Sequence, residues 1–262
     1  MTPLTAETVA DVLAELGDSP AEEILALTAK RFAGRIAFAS SLGPEDQVIT
    51  AMIAEAGLEI PIFTLDTGRL FPECYDLIAR TTAKYGLPIV TYFPDATEVE
   101  EMVAAGGVNL FRDSIEQRKQ CCGIRKVKPL RRAQSQLDAW VCGLRSGQGA
   151  TREAVAPAEW DTGADLVKIN PLAAWDEARV WEFIRANTIP YNPLHDEGFP
   201  SIGCAPCTRA VAPGEDFRAG RWWWESAEHR ECGLHQRGSA ATGGATADAA
   251  TSDTSDFSRG TE

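Results

Sequence analysis

Short apolar runs alternate with amphipathic stretches along most of the chain, and this alternation restricts the possible folds more than any other feature. The runs typical of strands are residues 35–39, 60–65, 88–93, 139–144 and 165–169. Apolar residues at helical spacing predict helices within 9–31, 45–56, 72–85, 98–105, 121–137 and 176–187. Strands that alternate with helices indicate an α/β fold, with a mostly parallel sheet flanked by helices.

Length and local composition suggest how the chain is divided. Its 262 residues are enough for one or two domains. We predict an N-terminal helical segment at 1–34 and a main domain at 35–237, which ends in an arginine- and tryptophan-rich segment at 208–237. Residues 238–262 are small, polar and low in complexity, which predicts a disordered tail.

Charge and hydropathy argue against several classes of partner. The net charge of -13 makes a nucleic-acid partner unexpected, because such proteins are normally basic. No apolar run approaches the roughly 20 residues of a membrane-spanning helix, so no membrane partner is expected.

The acidic start resembles neither a signal nor a transit peptide, and we expect a cytoplasmic protein. In such a reducing compartment, seven clustered cysteines favour metal-binding or catalytic thiols over disulfides.

Three predicted loops follow strands, at residues 40–44, 66–69 and 145–148. In a parallel sheet such loops meet at one edge and form the usual binding crevice. The first loop has hydroxyls at Ser40 and Ser41, then Gly43 and the start of a helix, a combination that can hold a phosphate. It is neither a Walker A loop nor a dinucleotide fingerprint. An ordinary strand-to-helix turn explains this loop equally well.

Four cysteines form two closely spaced pairs, Cys121 with Cys122 and Cys204 with Cys207. Four thiolates suit a structural zinc ion or an iron–sulfur cluster. Adjacent cysteines depart from the usual spacing of zinc ligands, which favours a [4Fe-4S] cluster. The alternative is that two of the four are buried free cysteines.

Several separated motifs carry a resemblance to a known family. They are SSLGPED (40–46), LDTGRLFPE (65–73), KQCCGIRKVKPL (119–130), SIGCAPCTR (201–209), RAGRWWWE (218–225) and ECGLH (231–235). Together they resemble the assimilatory sulfonucleotide reductases, specifically the iron–sulfur adenylyl-sulfate (adenosine 5′-phosphosulfate) reductases. The related 3′-phosphoadenylyl-sulfate reductases without a cluster keep the ECGLH-type ending but lack both cysteine pairs.

The resemblance implies a fold similar to the adenine nucleotide α-hydrolases and a reductase domain at 35–237, with 208–237 as its catalytic segment. It implies a [4Fe-4S] cluster on Cys121, Cys122, Cys204 and Cys207. Cys232 would attack the sulfur of adenosine 5′-phosphosulfate, expel AMP and become an S-sulfocysteine, from which reduced thioredoxin would release sulfite. The expected substrate-binding residues are Ser40, Ser41, Gly43, Asp66, Thr67, Gly68, Lys126, Arg145, Arg218 and Arg221.

The residues themselves agree with this chemistry. A thiolate attacks a polyanion readily only where positive charge surrounds the reacting group, and the expected lysine and arginines supply it. Cys232 has His229, Arg230 and His235 close by in sequence, and these basic neighbours favour the thiolate, which is the nucleophile.

Other functions compete with this interpretation. The first alternative is the same reaction on 3′-phosphoadenylyl sulfate, which differs by one phosphate. A nucleotide-dependent RNA thiolation enzyme would share the fold, but the SSLGPED loop and the acidic charge argue against it. An iron–sulfur redox sensor would explain four cysteines but not Cys232 with its basic neighbours. The sequence is compatible with a homo-oligomer and leaves the oligomeric state open.

Overall fold

The computed structural model of the chain describes residues 5–148 and 155–226. Its strands are β1 (Ile36–Ser40), β2 (Ile62–Leu65), β3 (Ile89–Tyr92), β4 (Ala139–Val141), β5 (Ala158–Asp161) and β6 (Leu166–Ile169). Its α-helices are α1 (Ala6–Leu16), α2 (Ala21–Arg31), α3 (Pro44–Glu55), α4 (Pro72–Tyr85), α5 (Ala96–Gly106), α6 (Ile115–Cys122), α7 (Lys128–Gln134) and α8 (Glu177–Ala186). Short 3₁₀ turns cover Leu110–Arg112, Pro193–Glu197 and Ala205–Cys207.

The strands form one sheet in the order β3-β2-β1-β4-β6-β5. All neighbouring pairs are parallel except β5 with β6. The predicted α/β class with a mostly parallel sheet is therefore confirmed. The order runs outward from β1 in both directions, with Phe38 of β1 paired to Ile62 on one side and Val141 on the other. Ligands of such sheets bind where the order reverses, here beyond the carboxyl ends of β1 and β4.

Local sequence signals explain where the helices around this edge begin and end. Helix α3 has Pro44 in its first turn, followed by Glu45 and Asp46, which suit the positive end of the helix dipole. Helix α4 also begins with a proline and ends at Gly86, whose left-handed φ of 67° favours glycine. Ser114 caps the start of helix α6, because its side chain accepts a hydrogen bond from the backbone N–H of Gln117.

The N-terminal helices pack into the main core. Buried Leu16 of α1 and Leu25 of α2 belong to the same apolar cluster as Ile36 of β1 and Val141 of β4. The division at residue 34 stays a prediction. Residues 227–237 of the segment 208–237, and all of 238–262, lie outside the described residues. Within the described ranges, none of the helices has the length and hydrophobicity required to cross a membrane.

Two local features differ from the sequence expectations. The four-residue strand β5 was not predicted, because Ala158–Asp161 contains no apolar run; it pairs antiparallel with β6 and ends the sheet. The helix expected across 121–137 is not a single α-helix: it runs from Ile115 to Gln134, and a π-helix at Gly123–Val127 joins α6 to α7. A π-helix has a wider turn than an α-helix, so the four-residue separation of Cys122 and Lys126 does not place them one α-helical turn apart.

Candidate active site

A cavity at the carboxyl edge of the sheet collects most of the predicted site residues. It lies where β1 and β4 diverge, as expected for a parallel sheet with a reversed strand order. The predicted residues that line it are Ser40, Ser41, Gly43, Thr67, Lys126, Arg218, Arg221, Cys121, Cys122, Cys204 and Cys207.

The loop after β1 turns sharply into α3. Leu42 has a left-handed φ of 66°, and its N–H donates to the hydroxyl of Ser40 at 3.2 Å. Gly43 immediately precedes α3, and a side chain there would contact the Ser41 hydroxyl at 3.4 Å. The loop thus places two hydroxyls and the N-terminus of a 12-residue helix at the cavity. This arrangement favours an anion.

Asp46, which sequence reasoning did not assign to the site, connects this loop to the loop after β4. Its carboxylate accepts a hydrogen bond from the Ser41 N–H at 2.5 Å. A Cβ on Gly143 would lie 2.2 Å from its Oδ1, so only glycine permits this close approach. Burial raises the pKa of Asp46 to about 6, although the hydrogen bonds from Ser41 favour the carboxylate.

The loop after β2 brings the nucleotide side and the cysteine side together. Asp66 shapes it by accepting hydrogen bonds from the Gly68 N–H at 2.7 Å and the Tyr75 hydroxyl at 3.2 Å. Thr67 is the predicted member of this loop that lines the cavity. Its Oγ1 lies 3.2 Å from the Sγ of Cys204.

The four paired cysteines come together in one apolar cluster with Phe111 and Trp222. Cys121 and Cys122 end α6, while Cys204 and Cys207 flank a short 3₁₀ turn. Burial, together with charge repulsion from the other three sulfurs, raises the pKa of Cys207 to about 12, although nearby Arg221 lowers it. In the described part of the chain, no three or more His, Cys, Asp or Glu side chains form a group that could hold a single metal ion.

Basic side chains form the cavity wall beside the cysteines. Lys126, Arg218 and Arg221 line it as the sequence predicted. Arg69, Arg118 and Arg125 line it as well. Arg118 and Arg125 were visible in the sequence as part of a basic cluster, but nothing in their spacing distinguished them from a solvated helix face.

Arg118 is held firmly. Its side chain is 1% exposed, and it donates two hydrogen bonds to the Glu225 carboxylate, at 2.9 and 3.0 Å. Its guanidinium also lies 4.7 Å from the centre of the Trp222 ring. The helix that carries the first cysteine pair is thus fixed to the last described turn of the chain.

Arg145 is placed differently from the other predicted basic residues. It is 4% exposed, and its Nε donates to Glu45 at 2.7 Å. It lines a second, neighbouring cavity together with Glu177 and His195. Its role in binding substrate stays a prediction. Cys232 and its basic neighbours lie outside the described residues.

Two further cysteines, Cys74 and Cys142, line the main cavity but have no predicted role. Burial raises the pKa of each thiol to about 11, which keeps both protonated at neutral pH. Both pack as small buried side chains, each 4% exposed.

Comparisons with known proteins agree with this site. The model of the phosphoadenosine phosphosulfate reductase domain matches residues 35–210. The adenosine 5′-phosphosulfate reductase of Allochromatium vinosum is 52% identical over 202 residues, 77% of this chain and 79% of that protein. The protein of the same name from Neisseria meningitidis serogroup B is 50% identical over 200 residues, 76% of this chain and 81% of that protein.

Solved structures give the same result. Phosphoadenylyl-sulfate reductase from Candida auris, solved as a phosphate complex, has a TM-score of 0.68 and 28% identity, covering 79% of this chain and 98% of its own. Yeast FAD synthetase, at 18% identity and a TM-score of 0.51, covers 79% of this chain and 70% of its own, and shares the fold only. The predicted resemblance is confirmed: this chain belongs to the sulfonucleotide reductases, the family of the phosphoadenosine phosphosulfate reductase domain.

Proposed function

We propose that the protein is an adenylyl-sulfate reductase, which reduces adenosine 5′-phosphosulfate to sulfite and AMP. The observation that carries this proposal is one cavity that joins an anion-binding loop, four cysteines and a wall of lysine and arginine side chains. The curated relatives described above are named for the same activity.

The two ends of the substrate would occupy different parts of the cavity. Leu65, Leu130 and Trp140 provide an apolar region suited to adenine. The loop at 40–44 and the N-terminus of α3 suit the phosphate. Lys126, Arg218 and Arg221 would then surround the sulfate and balance the charge that develops as AMP leaves.

We propose Cys232 as the nucleophile. Glu225, fixed to Arg118 in the cavity wall, is seven residues before Cys232, a stretch that spans up to about 23 Å when extended. The cavity is therefore within its reach. The Cys232 thiolate would form a bond to the substrate sulfur while the sulfur–oxygen bond to the phosphate breaks, and AMP would leave with the electron pair.

The resulting S-sulfocysteine would need two electrons and a thiol partner. One thiolate of reduced thioredoxin would attack Sγ of Cys232 and release sulfite, leaving a mixed disulfide. Its second thiol would then free Cys232 and leave thioredoxin oxidised. We further propose thioredoxin as the protein partner, a cytoplasmic location and a homo-oligomeric state.

We also propose a [4Fe-4S] cluster on the four paired cysteines. Three observations support the fit: all four cysteines lie in or against one side-chain cluster, the other three sulfurs repel an ionised Cys207 and so favour a bound cation, and Arg221 lies close enough to favour ionised Cys207. The adjacent cysteines Cys121 and Cys122 depart from the usual spacing of structural zinc ligands, which favours a cluster over a zinc ion. When bound, a cluster would join α6 to the Cys204 turn and hold its charge beside the basic wall.

The second candidate substrate is 3′-phosphoadenylyl sulfate. The Candida auris protein that this chain resembles is named for that reaction, and so is the family model. Adenylyl sulfate is preferred because the half-identical relatives carry that name and because both cysteine pairs are present.

An anaerobic labelling experiment tests the proposal. Iron-loaded protein is mixed separately with the two nucleotides, without reductant, and adducts are mapped by peptide mass spectrometry. We expect an SO₃ adduct on Cys232 that forms faster with adenylyl sulfate and disappears when reduced thioredoxin is added. The Cys232→Ser variant is the control and should stay unlabelled. Faster labelling by the 3′-phosphorylated nucleotide would reverse the substrate choice, and no labelling by either would refute the reductase function.

A further inference from the structure

Arg221 occupies a confined position in the cavity wall. Its residue is only 7% exposed, and its guanidinium lies 4.8 Å from the centre of the Trp222 ring. An isolated antiparallel bridge to Thr208 holds its backbone beside the second cysteine pair. The position of the guanidinium therefore depends on what surrounds it and not only on the flexible side chain.

Gly203 supplies the surface against which this guanidinium lies. A Cβ built on Gly203 would lie 2.2 Å from Nη2, 2.4 Å from Cζ and 2.6 Å from Nη1 of Arg221. All three separations are far below van der Waals contact. The guanidinium thus fills the space that any side chain at residue 203 would take.

The backbone at Gly203 is also fixed. Its N–H donates to the Thr208 hydroxyl at 3.2 Å, and that hydroxyl donates to the carbonyl oxygen of Cys204 at 2.9 Å. The peptide around residue 203 is thereby tied to the turn that carries Cys204 and Cys207. A methyl group at residue 203 would be relieved by movement of the arginine end, because the backbone is restrained and the side chain is flexible.

We propose that Gly203 is a positioning residue for substrate binding: its missing side chain lets the Arg221 guanidinium lie in the cavity wall, aimed at the substrate's phosphosulfate. This inference rests on the proposed function for the identity of the anion. A guanidinium binds such an anion best through two parallel N–H groups, a geometry that a small displacement destroys. Glycine at 203 therefore matters for affinity more than for folding.

The chain offers a matched control at Gly163, in the turn between β5 and β6. A Cβ there would lie 2.6 Å from Nη2 of Arg131, so Gly163→Ala would also displace a guanidinium. This turn precedes β6, which runs parallel to β4, so it lies at the edge of the sheet opposite the cavity. The control therefore has the same steric conflict without the substrate.

The test compares Gly203→Ala, Arg221→Ala, the double variant and Gly163→Ala. The concentration of adenylyl sulfate that half-saturates Cys232 labelling should rise about 10- to 100-fold in Gly203→Ala, as expected for a lost charge-assisted hydrogen bond. It should rise no further when Gly203→Ala is added to Arg221→Ala. Gly163→Ala should label like the wild type, and all variants should keep their iron and unfold within about 4 °C of it.

A second readout does not depend on the reaction. Phenylglyoxal modifies accessible arginines, and peptide mapping should show faster modification of Arg221 in Gly203→Ala than in the wild type. Unchanged reactivity of Arg221 would overturn the proposal even if no nucleotide labels the protein. An unchanged half-saturating concentration in Gly203→Ala, alongside a raised one in Arg221→Ala, would also overturn it. If Arg221→Ala itself has no effect while labelling persists, the assigned role of Arg221 fails and the positioning proposal fails with it.

Discussion

The two walls of the cavity are held together in different ways. The nucleotide wall, residues 40–46 and 142–144, follows directly from strands β1 and β4, and a buried carboxylate, Asp46, joins its two loops. The cysteine wall, residues 118–126 and 201–225, contains no strand of the sheet and rests on cysteine, arginine and tryptophan side chains packed against one another. The first wall is therefore a product of the sheet, whereas the second depends on its own side chains and on what they bind.

Cys204→Ser should cause the largest difference in stability between the two walls. If the four cysteines hold a cluster, this variant loses its iron and its activity, and the free energy that metal binding contributes to local folding is lost with it. Amide hydrogen exchange should accelerate throughout the cysteine wall while β1 and β4 stay protected. Cys74→Ser, which alters a buried thiol in the same cavity, is the control and should keep its iron. Uniform loss of protection in both walls would show that the two are one cooperative unit.

The buried ion pair of Arg118 and Glu225 provides the next largest effect. Removing one partner by Arg118→Ala leaves the Glu225 carboxylate buried without its arginine, and the free energy of unfolding should fall by about 3–5 kcal/mol. The control is Lys128→Ala, since Lys128 is 60% exposed in its ion pair with Glu98, and that loss should be about 0.5 kcal/mol or less. Denaturant unfolding of the iron-loaded protein measures both. Equal losses would mean that this pair does not hold the cysteine wall together.

The smallest effect concerns Asp46 and depends on pH. Folding raises the pKa of its carboxyl from 3.8 to about 6, so the folded chain binds the proton more tightly than the unfolded chain. The stability contributed by the protonated form is full below pH 4 and is lost as pH rises through about 6. Asp46→Asn should not show this loss. Its free energy of unfolding relative to that of the wild type should therefore increase by up to about 3 kcal/mol as the pH rises from about 4 to 7. Urea unfolding at several pH values measures this difference in stability. A difference between the two proteins that does not change with pH would contradict the prediction.

Much of the nucleotide wall could be predicted from sequence because its signals are local. Apolar runs predict the strands, and in a parallel sheet the loops that follow them must meet at one edge. The close contact of Gly143 with Asp46 was not predicted, because the two residues are far apart in the chain. Likewise, no local pattern reveals that Arg145 pairs with Glu45, or that Arg118 pairs with Glu225.

For the cysteine wall, the sequence predicted which residues take part but not how they are arranged. The spacing of the cysteines indicated a shared centre, and the structure groups all four. Neither the π-helix after Cys122 nor the close contact of Gly203 with Arg221 was predicted. The local residue pattern does not mark the π-helix, and the contact joins residues that are distant in the chain.

The π-helix at Gly123–Val127 sets a limit on changes in chain length. Its backbone hydrogen bonds join residues five apart, so this turn already holds one residue more than an α-helical turn. Deleting one residue here would leave an ordinary α-helical turn with α6 and α7 nearly in phase, whereas inserting one would rotate α6 against α7 by about 100° and turn Cys121 and Cys122 away from the Cys204 turn. The chain should therefore tolerate the loss of one residue here better than the gain of one.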